Sequence, residues 1–114
     1  MSLLNILFGS QPKSDKVKIV SKGKYAKALK KGKVQLVDVR TVREFNAGHI
    51  EGAKNFDFFS ADQFKRGFET LDKTKPVYLY CQSGNRSQKA ANKLLSMGFE
   101  EIIDLAGGYG AWSR

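Results

Sequence analysis

The sequence predicts a single α/β domain with a mostly parallel central sheet flanked by helices. Three observations predict it. Short β-branched runs alternate with helical patterns along the chain, the order that joins parallel strands through helical crossovers. The 114 residues, 41% hydrophobic and 27% charged, suit one domain with one core. Asp38 and Cys81 stand at the carboxyl ends of two apolar runs, and open parallel sheets bind their ligands beyond such ends.

The elements follow in order. In "SDKVKIVS", Val17 and Ile19 alternate with polar residues as a short edge-like strand does. "GKYAKALKKG" carries Tyr25, Ala28 and Leu29 at helical spacing, with Gly32 as the stop. "VQLVDV", Val34 to Val39, has the β-branched, apolar character of a buried strand. Thr41 and Glu44 have capping-box spacing and open a short helix closed by Gly48. "GAKNF" enters another short strand. Ser60 and Gln63 repeat the capping-box spacing ahead of Phe64, Phe68 and Leu71. "PVYLY", Pro76 to Tyr80, is a strand begun by proline, a tolerated position. From Ser87 to Met97, Ala90, Ala91, Leu94 and Leu95 form one helical face, and Gly98 is placed as its C′ residue. "EIIDL" is a last strand, and "GGYGAW" begins a terminal helical turn.

Composition excludes several classes. No apolar run approaches the roughly 20 residues needed to span a bilayer, so stable membrane insertion is not expected. The opening "MSLLNILFG" has neither the basic n-region nor the cleavage site of a signal peptide. It reads as an apolar leader over residues 1–14, ahead of a domain over 15–114, and could meet a hydrophobic groove or a membrane surface. One cysteine allows no disulfide within the chain and fits a reducing compartment, the cytoplasm. Of the net charge of +9, most lies in Met1 to Lys33, which holds nine lysines and one acid, Asp15. The rest of the chain is nearly neutral. Such a front end suits a solvated face or an acidic protein partner. It lacks the interleaved aromatics that stack on bases, so nucleic acid is not the expected partner. No His/Cys cluster has metal-ligand spacing, and neither metal nor cofactor is expected.

The only cysteine lies in "YCQSGNRS", Tyr80 to Ser87, where a strand ends and a helix opens. The first amides of a helix lack intrahelical partners, and the positive end of the dipole stands behind them. A turn of inward-facing amides makes an anion nest, and Gly84 tolerates the backbone angles that such a turn requires. Cys81 is expected at the rim of this nest, with Arg86 close by, where the thiolate is favoured over the thiol. The competing interpretation is a small core hydrophobe at the end of a buried strand.

"YCQSGNRS" resembles the active-site loop of single-domain rhodaneses, C-x-x-G-x-R-[ST]. "LVDVRTVREFNAGHIEGAKNF", Leu36 to Phe56, is similar to the D-V-R…E-[FY]…G-H-I-x-G-A-x-N segment of that family. "LAGGYGAW", Leu105 to Trp112, is similar to its L-x-G-G-x-x-x-W ending. The resemblance runs from about Val17 to Trp112 and implies a rhodanese-like domain that transfers sulfane sulfur. Cys81 would take sulfur from a small anionic donor such as thiosulfate, carry it as a persulfide, and pass it to an external thiol or to cyanide. The amides of Gln82, Ser83, Gly84, Asn85, Arg86 and Ser87 would hold the persulfide. Asp38 and Arg40 are assigned supporting roles; Asp38 could hydrogen-bond the loop or pair with Arg40 or Arg86. Arg86 could bind the donor or brace the loop. His49 is assigned a structural hydrogen bond.

Two alternatives remain. One is a rhodanese-like interaction or sulfur-carrier module that docks through the leader and lysines. The other is a cysteine-dependent phosphatase or arsenate reductase. The second is disfavoured because such enzymes place one residue more between cysteine and arginine than the four found here, Gln82 to Asn85.

Overall fold

The computed structural model describes residues 14–114. The expected apolar leader, except Ser14, lies outside the described residues. Strands and helices alternate as β1 Val17–Val20, α1 Lys22–Lys30, β2 Gln35–Asp38, α2 Val42–Ala47, β3 Lys54–Asn55, α3 Ala61–Glu69, β4 Val77–Tyr80, α4 Asn85–Ser96, β5 Ile102–Leu105 and α5 Gly108–Trp112. The sheet order is β1-β5-β4-β2-β3, and every neighbouring pair is parallel. β1 is an edge strand, as its alternating pattern predicts.

Register determines what the sheet brings together. Asp38 is level with Tyr80 across β2 and β4, and Leu79 is level with Asp104 across β4 and β5. The carboxyl ends of three strands therefore meet at one edge, with Cys81 one residue beyond the central strand. Each sheet face is covered by its own cluster. Phe64 and Phe68 of α3 and Ala90, Ala91 and Leu94 of α4 pack on Val37, Leu79 and Ile102. Tyr25 of α1 packs with Leu36, Tyr80, Ile103 and Leu105 on the other face. Burying each large apolar side chain stabilises by roughly 1.5–3 kcal/mol. The Tyr25 hydroxyl donates to the Leu79 carbonyl at 3.0 Å, so its burial leaves no polar group unmet.

Local signals were realised unevenly. The Thr41 capping box forms in full, with Oγ1 accepting from the Glu44 amide and Glu44 Oε1 accepting from the Thr41 amide. The box predicted at Ser60 does not form. Ser60 caps no amide with its side chain, and the Gln63 side chain turns to the Asn55 carbonyl. The Asp57 carboxylate instead accepts the Phe59 amide at 2.8 Å and organises the turn before α3. The helix predicted from Ser87 begins two residues earlier, at Asn85. No helix among the described residues is long and apolar enough to cross a membrane.

Candidate active site

The loop after β4 turns because Gly84 adopts φ +109°, in the region that disfavours side chains, and serves as the N-cap of α4. This turn aims the Gly84 amide at Cys81, and N–H donates to Sγ at 3.0 Å. The Ser87 hydroxyl lies 3.4 Å from the same sulfur. Asn85, Arg86 and Ser87 form the first turn of α4, and no acceptor among the described residues takes their amides. The sulfur thus lies at the positive end of a twelve-residue helix.

The sequence predicts a sulfur exposed at the rim of the loop. The structure corrects this: Cys81 is buried, with 1% of its surface exposed. The physical reason is strand alternation. Cys81 continues the face of Val77 and Leu79 and packs beneath α4 with Ala90 and Ala91. The thiol joins the core cluster and also receives an amide from the loop. Ser83 and Asn85 are exposed, and Gln82, Gly84 and Arg86 are half-buried around it.

From the far side, α5 closes the loop. The Tyr109 amide donates to the Cys81 carbonyl at 2.8 Å, and the Gly110 amide to that of Gln82 at 3.0 Å. This approach requires glycine at 108, where φ is +60°. A Cβ there would lie 2.5 Å from the Cys81 carbonyl oxygen.

Arg86 is engaged by Glu44 of α2. Nη1 donates to Oε1 at 2.7 Å and Nη2 to Oε2 at 2.9 Å, a two-bond fork. The Arg86 hydrogen bonds hold the Glu44 carboxyl at about 2, well below its usual value. Of the two roles open to Arg86, bracing is the one this geometry displays. Asp38 pairs with Arg40 and not with Arg86: Nε lies 3.0 Å from both carboxylate oxygens, and Nη2 lies 2.7 Å from Oδ2. Arg40 then reaches the Gly48 carbonyl at 2.6 Å and Gln82 Oε1 at 3.0 Å, under the ring of Tyr109 at 4.4 Å. One buried guanidinium so ties β2, the Gly48 turn, the cysteine loop and α5. His49 Nδ1 lies 2.8 Å from the Phe45 carbonyl, and its ring stacks on Phe45.

Two partners of the loop are not foreseen from the sequence. The sequence marks Glu44 as a capping-box acid and as the acid of the family segment's E-[FY] pair, and not as the partner of Arg86. Asp104 was absorbed into the apolar run "EIIDL". Its signal was available: an acid inside a buried strand, beside the strand that carries the cysteine.

A parallel α/β domain with a cysteine at the carboxyl end of its central strand, under a glycine turn and a helix N-terminus, defines a cysteine-loop protein. The chain belongs to the rhodanese-like family: the family profile described as "Rhodanese-like domain" matches residues 21–114. The chain is 46% identical over 80 residues to YqhL of Bacillus subtilis (strain 168), covering 70% of this chain and 61% of that protein, less than two thirds of its length. It is 38% identical over 88 residues to the thiosulfate sulfurtransferase GlpE of Pseudomonas fluorescens (strain SBW25), covering 77% of this chain and 78% of that protein. The crystal structure of a rhodanese-like domain protein from Staphylococcus aureus superposes with a TM-score of 0.73 at 30% identity, over 83% of this chain and 90% of that one.

Proposed function

We propose that this protein is a sulfurtransferase that carries sulfane sulfur as a Cys81 persulfide. The observation that carries this reading is the Gly84 amide donating to Sγ at 3.0 Å, at a helix N-terminus whose next three amides have no acceptor among the described residues. A site of this kind stabilises negative sulfur. Similarity to the thiosulfate sulfurtransferase GlpE supports the reaction class.

In the first half-reaction the Cys81 thiolate attacks the outer sulfur of thiosulfate. A new S–S bond forms, the old one breaks, and sulfite leaves with its electron pair. The terminal sulfur of the persulfide occupies the loop, where the amides of Gln82 to Ser87 receive its charge. In the second half-reaction a thiolate, or cyanide in an assay, takes that sulfur, and the Cys81 thiolate departs. No step calls for a metal. Arg86 braces the loop through Glu44, and Asp38 and Arg40 hold its base.

The acceptor is an external thiol, because the chain holds no second cysteine. Lys22, Lys24, Lys27 and Lys30 are all exposed on α1, which favours an acidic protein as the thiol carrier. The reaction belongs in the cytoplasm, where acceptor thiols stay reduced. The test is thiocyanate formation from thiosulfate and cyanide. Wild-type protein turns over and Cys81→Ser does not; equal turnover by the serine variant contradicts the reading.

A further inference from the structure

Asp104 is the penultimate residue of β5, and 1% of its surface is exposed. Oδ2 accepts from the Ser87 hydroxyl at 3.0 Å and from Gln88 Nε2 at 2.6 Å. Oδ1 is buried and has no partner among the described residues. A carboxylate placed this way, held only by neutral donors, carries a charge that burial opposes.

The Ser87 hydroxyl is the connection to the sulfur. Its oxygen lies 3.0 Å from Asp104 Oδ2, 3.1 Å from the Gly84 carbonyl and 3.4 Å from Cys81 Sγ. It has one hydrogen to donate. When Asp104 is ionised, that hydrogen belongs to the carboxylate and a lone pair faces the thiol S–H. When Asp104 is protonated, its own O–H serves Ser87, and the Ser87 hydrogen is free to turn to sulfur.

We propose that Cys81 and Asp104 share one proton across the Ser87 hydroxyl, so that the loop holds one negative charge, on sulfur or on the carboxylate, and not both. The exchange balances within the three residues. The Cys81 S–H bond breaks as Ser87 Oγ takes that hydrogen, and the former Ser87 hydrogen bonds to Asp104 Oδ2. The charge moves from carboxylate to sulfur with no change in oxidation state. Asp104 acts through Ser87 and is a positioning residue for charge. This inference rests on the sulfurtransferase reading for what the thiolate then does. Under that reading Asp104 stays neutral while the sulfur is a thiolate or a persulfide anion, and the buried site never holds two adjacent anions.

The surroundings agree. Burial pushes the Asp104 carboxyl up to about 6. The other titratable groups on the packed elements do not supply a competing cation. Arg86 of α4 is forked onto Glu44, and Arg40 is paired with Asp38. β1 places the apolar Ile19 level with Asp104. The phenol of Tyr25, on α1, is pushed up by burial first and then by the Asp104 charge. A cavity of about 230 Å³, lined in part by Ser83, Asn85, Gln88 and Asp104, lies beside this strand end.

The test is the titration of the Asp104 carboxyl carbon by NMR in three forms of the full chain: free thiol, carbamidomethylated Cys81, and protein loaded with thiosulfate. A shared proton places the midpoint at least one pH unit higher with an ionisable or anionic sulfur than with the neutral blocked one. Ser87→Ala shrinks that difference. The same midpoint in all forms, or an undiminished difference in Ser87→Ala, overturns the proposal. As a second readout, the rate of Cys81 alkylation by iodoacetamide against pH shows two steps in wild type and one in Asp104→Asn; two steps retained in the variant overturn it. If the variant does not fold, the wild-type carboxyl titration decides alone. Comparing free and blocked thiol needs no sulfur donor. Failure of thiosulfate to load Cys81 therefore counts against the sulfurtransferase reading and leaves the shared proton separately tested.

Discussion

Replacing Asp38 by alanine strands a buried cation. Asp38 is 0% exposed and Arg40 is 2% exposed. The carboxylate accepts from Arg40 Nε and Nη2 and, at 2.8 Å, from the Arg40 amide. What remains for the guanidinium is the Gly48 carbonyl, the Gln82 amide oxygen and the rings of Tyr80 and Tyr109, all neutral. Removing one partner of a buried ion pair costs about 3–5 kcal/mol, because the other charge stays desolvated. For a domain of this size, about 3 kcal/mol lowers Tm by roughly 12–24 °C. Asp38→Leu combined with Arg40→Met removes both charges and is expected to be less destabilising than Asp38→Ala alone. Urea unfolding followed by circular dichroism and by Trp112 fluorescence measures all three proteins. Asp38→Ala within about 1 kcal/mol of wild type, or a double variant worse than the single one, refutes the assignment of Arg40 as a buried tie held by Asp38.

Further outcomes follow from the same geometry. Glu44 titrates near 2 in the folded protein against an ordinary 4.5, so its contribution is complete above pH 4.5 and is lost as pH falls toward 2. Allowing for solvent screening, about 1–2 kcal/mol is at stake; Glu44→Gln unfolding energies should lack this drop, and a parallel pH dependence in variant and wild type contradicts the fork. Asp104 has the opposite sign. Its folded value is raised to about 6 from 3.8, so the folded state holds the extra proton and stability falls as pH rises through that window. Asp104→Asn is accordingly more stable than wild type at pH 8, by about 3 kcal/mol at most, with the gain absent below about pH 4 in denaturant titrations. Gly108→Ala brings a methyl into the Cys81 carbonyl and should cost about 1–3 kcal/mol while slowing thiocyanate formation. Gly84→Ala meets no atom within 4 Å and carries backbone strain alone, so its stability loss is expected to be the smaller of the two.

The architecture was legible because it depends on periodicity. Alternating runs, the Thr41 capping box and the glycine stop at Gly98 each act within a few residues, and each formed where the pattern placed it. The Ser60 box failed because its spacing competes with a turn that Asp57 organises from outside the motif. The loop's setting between a strand and a helix was legible in residue types, with Cys81, Gly84 and Arg86 near a helix start. Its partners were not. Glu44 is 42 residues from Arg86, and Asp104 is 17 from Ser87. Only the strand order β5-β4-β2 makes these neighbours, and strand order is set by long-range pairing that no local window contains. The burial of Cys81 was missed for a related reason. The loop motif suggested a rim, while the alternation running from Val77 through Leu79 places the side chain inward.

The central claim is that the turn between β4 and α4 stabilises anionic sulfur on Cys81. The most direct measurement is the mass of the Cys81 peptide after brief exposure to thiosulfate, with digestion under non-reducing conditions. One added sulfur, about 32 Da, confined to that peptide, removed by cyanide and absent in Cys81→Ser is the predicted result. An unchanged Cys81 mass after thiosulfate, or the same gain in the serine variant, contradicts it.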